Sequence, residues 1–151
     1  MQDNDSIAGL FENRSVLITG ATGFLGKVLV EKLLRDCRSI KKIFVLLRSK
    51  SGHKSDRRLQ EVLGSIIFDR IRKECPNVLE KVIAISGDIT YPMLGINSTD
   101  LSMLRSEVSI VFHSAATIRF DEPLKRAVNL NVAGTKHVID VCNQLKNLQV
   151  F

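Results

Sequence analysis

Long apolar runs, cysteines and aromatic side chains are all scarce in this chain of 151 residues. No stretch reaches the roughly 18 uncharged apolar residues that a membrane-spanning helix needs, so we expect no span. The polar, acidic start over residues 1–12 lacks the basic and apolar regions of a secretory signal. Three widely spaced cysteines, Cys37, Cys75 and Cys142, predict neither a disulfide framework nor a metal site, and they are typical of a reducing compartment.

The charge balance is positive, with a net charge of +6 at pH 7 and an isoelectric point near 9.5. Such an excess favours anionic partners such as nucleic acid, anionic lipid or phosphorylated small molecules. Aromatic residues make up only 5% of the chain, and it holds no recognisable nucleic-acid-binding motif. We therefore expect no nucleic-acid partner, and local motifs have to identify the anion.

Short β-branched runs alternate with amphipathic helical stretches along the chain. Strands are predicted at Ser15–Thr19, Ile43–Leu47, Val82–Ser86 and Ser109–His113, and helices at Phe24–Cys37, Ser55–Lys73, Thr99–Ser106 and about Pro123–Leu145. This alternation predicts parallel strands joined by right-handed crossovers, hence an α/β doubly wound parallel sheet of the Rossmann type. The near-continuous apolar strands agree, because helices cover both faces of such a sheet.

Helical spacing also predicts which side chains face the core. In the last helix the expected inward residues are Leu124, Val128, Val132, Thr135, Val138, Ile139 and Cys142. Residues 1–12 are interpreted as a tail and residues 13–151 as one incomplete nucleotide-binding domain. A fifth strand begins at residues 148–151, and we expect the sheet to be truncated there, because domains end in exposed linkers and not inside a core strand.

Three glycines, Gly20, Gly23 and Gly26, follow the first strand and open the first helix. The first permits the tight turn, the second lets the backbone approach a pyrophosphate, and the third lets the helix pack close to the sheet. The helix N-terminus then offers unpaired N–H groups and a partial positive charge to the phosphates. The turn from Thr19 to Gly26 therefore predicts a dinucleotide site.

The cation at the end of the second strand indicates which dinucleotide binds. An acidic residue there would hydrogen-bond the 2′-hydroxyl of NAD, whereas a cation meets the 2′-phosphate of NADP. Arg48, assisted by Lys50, therefore predicts NADPH. The next cations, Lys54, Arg57 and Arg58, are open to two interpretations, a solvated helix start, which we favour, or further phosphate ligands.

Two more strand ends are expected in the same crevice, because ligands of this architecture bind at the carboxyl ends of the strands. After the third strand, we expect Asp88 to bond the adenine amino group and Ile89 to pack on the ring; the alternative for Asp88 is a turn or cap residue. His113, at the end of the fourth strand, is more typical of a structural histidine than of a catalyst. Small residues follow it and let the chain pass under the ribose and phosphates: Ser114, Ala115, Ala116 and Thr117.

The last helix contains residues that are poor helix formers, namely Asn129, Asn131 and Gly134. Their presence indicates a packing or polar role. We expect Asn131 to hydrogen-bond an irregular stretch of backbone, and Asn129 to be an incidental exposed amide.

Together these segments resemble the extended short-chain dehydrogenase/reductase superfamily, and within it most closely the fatty acyl-CoA reductases. The resemblance is carried by residues 16–34, 45–48, 87–89, 111–121 and 131–135. The glycine motif is specific only to the superfamily. Arg48, the segment 111–121 and the run Phe68-Asp69-Arg70 narrow it to the reductase family.

The resemblance implies that a long-chain acyl-CoA is reduced by NADPH to the aldehyde and then usually to the fatty alcohol. It also implies a set of cofactor positions, of which the last mainly supports the site: Thr19, Gly20, Thr22, Gly23, Phe24, Leu25, Gly26, Arg48, Asp88, Ile89, Ser114, Ala115, Ala116, Thr117 and Asn131. For the full-length enzyme it implies the endoplasmic reticulum or peroxisome membrane as the location.

One departure limits what this chain is expected to do. The family carries a catalytic Tyr-x-x-x-Lys pair on the helix after the fifth strand, and the sequence stops before that helix. Its single tyrosine, Tyr91, is followed by Pro92 and does not form such a pair. We expect no catalytic residue in 1–151, hence cofactor binding without turnover. Two alternatives stay open, another extended reductase acting on sterols or carrier-bound thioesters, and a non-catalytic NADPH-binding module.

Overall fold

The computed structural model describes residues 6–48 and 55–151. Within these ranges four parallel strands form one sheet: β1 (Ser15–Thr19), β2 (Lys42–Leu47), β3 (Val82–Ser86) and β4 (Val108–His113). Their order is β3-β2-β1-β4, so the winding reverses between β1 and β4. This confirms the predicted doubly wound parallel sheet. It also locates the ligand crevice of such folds at the carboxyl ends of β1 and β4.

Helices connect the strands and cover both faces of the sheet. In chain order they are α1 (Ile7–Leu10), α2 (Phe24–Asp36), α3 (Ser55–Leu63), α4 (Asp69–Glu74), α5 (Ser98–Glu107), α6 (Leu124–Val128) and α7 (Gly134–Cys142). Short 3-10 turns lie at Ile66–Phe68, Pro76–Lys81 and Pro92–Gly95, and a π-helical turn at Asn129–Ala133 joins α6 to α7. Among the helices in the described ranges, none combines the length and the hydropathy needed to cross a bilayer.

The two faces of the sheet belong to two separate cores, because successive side chains of a strand point to opposite sides. Val16 and Ile18 of β1 pack with α2 and α3, whereas Leu17 packs with α5 and α7. All three side chains are fully buried, and burying one such side chain stabilises the fold by about 1.5–3 kcal/mol. The cores hold the strand ends in place, and with them the loops that form the crevice.

The prediction of a single helix over Ser55–Lys73 is wrong, because this segment forms α3, a 3-10 turn and α4 in succession. The break follows Leu63, where glycine and serine, both weak helix formers, come next. The Ser65 hydroxyl donates to the Val62 carbonyl at 2.8 Å and fixes the turn. As a result the Ile66 side chain is 82% exposed.

The last helix is also interrupted, and its buried face differs from the predicted one. Val138 and Cys142 are buried as expected. Four side chains were expected to face inward but are exposed, namely those of Leu124, Val128, Val132 and, after the turn, Ile139. The π-helical turn between α6 and α7 is the cause, because it adds a residue to one turn and shifts the phase of the helical repeat.

Two element ends also differ in detail from the sequence interpretation. The helix predicted from Thr99 begins one residue earlier, at Ser98, and its N-terminal cap is Asn97, whose Oδ1 accepts from the Asp100 N–H at 2.9 Å. Phe11 falls in the segment interpreted as a tail, yet it is 5% exposed and stacks on Phe112 with ring centroids 6.4 Å apart. The described core therefore includes a side chain from before residue 13.

The sheet continues past β4 in one isolated bridge. Ile110 pairs in parallel with Val150, and the Val111 N–H donates to the Val150 carbonyl at 3.0 Å. This bridge lies where the sequence predicts that a fifth strand begins.

Candidate functional site

The glycine turn between β1 and α2 is a tight backbone crossing at the reversal point of the sheet. Gly20 has φ +79°, and a Cβ there would lie 2.7 Å from the Ala115 backbone nitrogen. A Cβ on Gly26 would lie 2.3 Å from the Gly20 carbonyl oxygen. Real Cβ atoms do not approach backbone so closely, so both positions require glycine. The first turn of α2 is thereby held directly against the end of β1.

The N-terminus of α2 is open to a ligand. The N-cap residue is Gly23, which has no side chain and therefore cannot cap the first N–H groups of the helix. Phe24 and Leu25 are 79% and 68% exposed. What the start of α2 presents to an anion is therefore backbone N–H groups and the positive end of the helix dipole.

A cleft of about 380 Å³ lies over this turn and the ends of all four strands. It brings together nine of the predicted positions: Gly20, Thr22, Gly23, Arg48, Ile89, Ser114, Ala115, Ala116 and Thr117. Six others do not line it: Thr19, Phe24, Leu25, Gly26, Asp88 and Asn131. Lys50 and Lys54 lie outside the described residues. Arg58, for which a phosphate-ligand role was the less favoured alternative, also lines the cleft. Sequence reasoning missed seven further lining residues: Leu46, Gly87, Ile118, Arg119, Glu122, Arg126 and Leu130.

Arg48 and Arg58 form a pair of cations at the end of β2. Both line the cleft, and the Arg58 guanidinium donates to the Arg48 carbonyl oxygen. Arg58 is half-buried, whereas its neighbour Arg57 is exposed and does not line the cleft. For Arg58 the position on the cleft favours the second of the two interpretations, a phosphate ligand, whereas the exposure of Arg57 agrees with a solvated helix start.

Asp88 adopts the alternative role that the sequence left open for it. Its Oδ1 accepts from both the N–H and the hydroxyl of Thr90, each at 2.9 Å, which is a local turn. Ile89 is 6% exposed and packs on Gly134, where a Cβ would lie only 3.0 Å from its Cδ1. Ile89 lines the cleft with Leu46 and Leu130, so this end of the cleft is apolar.

Thr19 is fully buried and belongs to a hydrogen-bonded chain beneath the cleft. The Ala115 N–H donates to the Thr19 hydroxyl at 3.3 Å. The same hydroxyl lies 2.7 Å from Nδ1 of His113. Nε2 of His113 lies 3.0 Å from the Thr135 hydroxyl, which itself donates to the Asn131 carbonyl at 2.7 Å. Thr19 thus supports the site from below and does not reach it.

The same chain determines the protonation of His113. The Thr135 hydroxyl donates its proton to the Asn131 carbonyl, so towards His113 it acts as an acceptor, and Nε2 of His113 carries the hydrogen. Nδ1 is then unprotonated and accepts from the Thr19 hydroxyl. Burial lowers the pKa of His113 from its usual 6.5, which favours this neutral form. His113 therefore links β1 to the last helix, which is the structural role that we favoured.

Asn131 clamps the loop after β4. Its Oδ1 accepts from the Thr117 N–H at 2.8 Å, and its Nδ2 donates to the Thr117 carbonyl at 2.9 Å. This confirms the expectation that Asn131 bonds irregular backbone. The amide lies in the π-helical turn, a feature that is frequent at functional sites.

The arrangement suits a dinucleotide and carries few groups for acid–base chemistry. The cleft offers backbone N–H groups, four arginines and an apolar end. Among its described lining residues the acidic one is Glu122, and Tyr91 lies outside it, 61% exposed. The geometry therefore favours binding and orienting an anionic ligand that has an apolar part.

Comparisons with known proteins agree with this geometry. The NAD-binding family described as male sterility protein matches residues 18–151. Human fatty acyl-CoA reductase 1 is 47% identical over 146 residues, which cover 97% of this chain and 28% of that protein. The chain thus spans under a third of the length of the curated relatives that it matches.

Solved structures give the same result for the fold. A reductase domain of a non-ribosomal peptide synthetase from Mycobacterium tuberculosis superposes with a TM-score of 0.71 at 30% identity, covering 92% of this chain and 32% of that one. The terminal R domain of the myxalamid biosynthetic pathway gives 0.75 at 25% identity, covering 92% and 34%. The predicted resemblance is confirmed, and the site is that of a nicotinamide-cofactor-binding domain.

Proposed function

This chain belongs to the male sterility protein family, and we propose that it is the NADPH-binding part of a fatty acyl-CoA reductase, which reduces long-chain acyl-CoA to the fatty alcohol by way of the aldehyde. The observation that carries the proposal is the cleft at the ends of β1 and β4, where a glycine turn, an open helix N-terminus and two arginines converge. The identity of 47% to human fatty acyl-CoA reductase 1 supports the reaction class.

The residues present fit a dinucleotide. Because Gly20 and Gly26 have no Cβ, the turn packs directly against the Ala115 backbone and the start of α2 packs against the turn. The N–H groups at the start of α2, held in this way, would bind the pyrophosphate. Leu46, Ile89 and Leu130 form the apolar end, which would take the adenine ring. When bound, NADPH would supply the hydride, and the residues of this chain would orient it.

The choice of NADPH over NADH rests on the arginine pair. A guanidinium binds a phosphate through two parallel charge-assisted hydrogen bonds, and the 2′-phosphate is the group that distinguishes the two cofactors. Arg48 and Arg58 share one rim of the cleft and are linked through the Arg48 carbonyl. We assign both to the 2′-phosphate.

The reaction is tested on the full-length protein by following NADPH oxidation with palmitoyl-CoA, a sterol substrate and an acyl carrier-protein thioester. We expect oxidation with the acyl-CoA and formation of the fatty alcohol. The 30% identity to the synthetase reductase domain favours the carrier-bound thioester as the second candidate. Oxidation with the carrier thioester alone would replace the acyl-CoA assignment, and binding of NADPH without oxidation of any of the three would indicate a non-catalytic module.

A further inference from the structure

The wall of the cleft opposite the glycine turn contains a nearly buried carboxylate. The Glu122 side chain is 5% exposed, although the residue lies between the solvent-facing Asp121 and Pro123. It lines the cleft together with Arg48, Arg58, Arg119 and Arg126. A buried carboxylate facing a cleft for a polyanion opposes binding through its charge, so its place there needs a physical reason.

Both oxygens of this carboxylate are already engaged. Oε2 accepts from the Thr117 hydroxyl at 3.1 Å, and Oε1 pairs with the Arg126 guanidinium at 3.1 Å. Thr117 and Arg126 both line the cleft, and the Arg126 side chain is 66% exposed. Both carboxylate oxygens of Glu122 thus bind residues that line the cleft, so Glu122 can affect a ligand there by holding those two side chains in place.

Thr117 is held from two sides. Asn131 clamps its backbone N–H and carbonyl, and Glu122 accepts from its hydroxyl. The Asn131 clamp acts on the Thr117 backbone only. The Thr117 hydroxyl donates to Glu122 at 3.1 Å and accepts from the Arg119 N–H at the longer distance of 3.4 Å, so Glu122 is the closer of its two partners. The same carboxylate also orients Arg126 one helical turn away, within the first turn of α6.

We propose that Glu122 is a positioning residue of the cofactor cleft, whose carboxylate holds Thr117 and Arg126 in the orientation in which they contact the bound dinucleotide. This role rests on the proposed NADPH-binding function. A purely electrostatic role predicts a change in cofactor affinity of the opposite sign when the carboxylate is removed. Removing a negative charge from the cleft would by itself strengthen the binding of an anion, whereas releasing Thr117 and Arg126 weakens it.

Two substitutions separate these effects. Glu122→Gln removes the charge and the Arg126 ion pair but keeps an oxygen that accepts from Thr117, whereas Glu122→Ala removes the charge and both contacts. We expect Glu122→Ala to raise the Kd for NADPH about five- to tenfold, the size expected for the loss of one or two hydrogen bonds. Glu122→Gln is expected within about twofold of wild type. Thr117→Val is expected to show part of this loss of NADPH affinity. Thr117→Ser keeps the hydroxyl and is expected to bind NADPH as wild type does.

The control is Asp140→Ala. Asp140 forms an i,i+4 ion pair with Lys136 at 2.8 Å on α7, outside the cleft, so the variant removes the same charge without touching the site. Its Kd for NADPH is expected to equal that of wild type. Thermal unfolding of every variant shows whether it is folded.

The experiment is a fluorescence titration of NADPH into the purified proteins, with NADH in parallel. Tighter or unchanged binding by folded Glu122→Ala would overturn the positioning role, and so would equal losses in Glu122→Ala and Glu122→Gln. Should Glu122→Ala fail to fold, unchanged binding by Thr117→Val would overturn it. Wild-type protein that binds neither nucleotide would contradict the proposed function itself, and with it this role.

Discussion

The two walls of the cleft are built from different materials. The wall between β1 and α2 is backbone, and its shape depends on the absence of side chains at Gly20, Gly23 and Gly26. The wall after β4 is made of side chains, with Asn131 and Glu122 holding the loop that carries Thr117. Where the wall is backbone, almost any added side-chain atom clashes. Where it is held by side-chain hydrogen bonds, the loss of one bond lowers the affinity for NADPH only in part. Substitutions on the two sides should therefore differ in size and in kind.

The largest effect is expected from adding one methyl group at Gly26. A Cβ there lies 2.3 Å from the Gly20 carbonyl oxygen and 2.7 Å from the Ala21 Cα, and neither backbone atom can move aside. We expect Gly26→Ala to lower the free energy of unfolding by about 3 kcal/mol, which urea denaturation measures, and to abolish NADPH binding.

Gly23→Ala is the matched variant for that test. Its Cβ would lie 3.3 Å from the Gly20 oxygen, at an ordinary φ of −78°. We expect it to stay folded but to bind NADPH weakly, because the methyl group stands where the phosphate approaches. Wild-type stability in Gly26→Ala would show that the backbone wall is less constrained than its geometry indicates.

A smaller effect is expected at Arg48 and Arg58, the pair of arginines at the end of β2. Arg58→Ala removes one phosphate ligand and is expected to raise the Kd for NADPH about tenfold with little change for NADH. Arg57→Ala is the control, because Arg57 precedes it on α3 but does not line the cleft. Equal losses for the two cofactors, or equal effects of the two arginines, would contradict the assignment of Arg58.

On the side-chain wall, Asn131→Ala is expected to have a moderate effect. It removes two hydrogen bonds to Thr117, at 2.8 and 2.9 Å, but the freed groups are accessible to water. We expect a loss of about 1 kcal/mol in the free energy of unfolding and a several-fold weaker NADPH affinity. Asn129→Ala serves as the comparison, since Asn129 makes no side-chain hydrogen bond within residues 6–48 and 55–151. Identical behaviour of the two variants would rule out the clamp.

The smallest effect concerns the hydrogen-bonded chain beneath both walls. Burial lowers the pKa of His113 below 6.5 in the folded state, so the unfolded chain takes up a proton first as the pH falls. This contribution to stability is present above pH 6.5 and is lost as the pH falls from 6.5 towards the lower folded pKa. We expect His113→Gln to be less stable than wild type at pH 7.5 and to lose less stability on acidification to pH 5.5. Parallel curves for the two proteins would show that His113 does not contribute to the pH dependence.

The backbone wall was predictable from the sequence, and most of the side-chain wall was not. A glycine that must avoid a clash is visible as a glycine, and its place after an apolar strand is local information. Arg48 was predictable for the same reason, because it directly follows β2. Asn131 was also predicted, since an asparagine inside a helix is unusual enough to indicate a polar role.

The residues that sequence reasoning missed depend on the packing of helices and on irregular backbone, neither of which follows from a regular sequence repeat. Arg57 and Arg58 look alike in sequence, and only the packing of α3 against the sheet decides which of them faces the cleft. Glu122 lies between exposed neighbours and resembles an ordinary surface carboxylate in sequence. Its contacts with Thr117 and Arg126 are local, but they depend on the irregular backbone after β4, which has no regular repeat to predict it. The π-helical turn has no clear sequence signal, so a regular helical repeat misplaced Val128 and Val132.

The central claim is that this cleft selects NADPH through a cation at the end of β2, and cofactor titration of wild type and Arg48→Asp tests it most directly. We expect wild type to bind NADPH more tightly than NADH. Arg48→Asp should raise the Kd for NADPH by roughly 10- to 150-fold, the equivalent of about 1.5–3 kcal/mol for charge-assisted hydrogen bonds. It should leave the Kd for NADH nearly unchanged. Equal affinity of wild type for the two cofactors, or an equal loss for both in Arg48→Asp, would contradict the account.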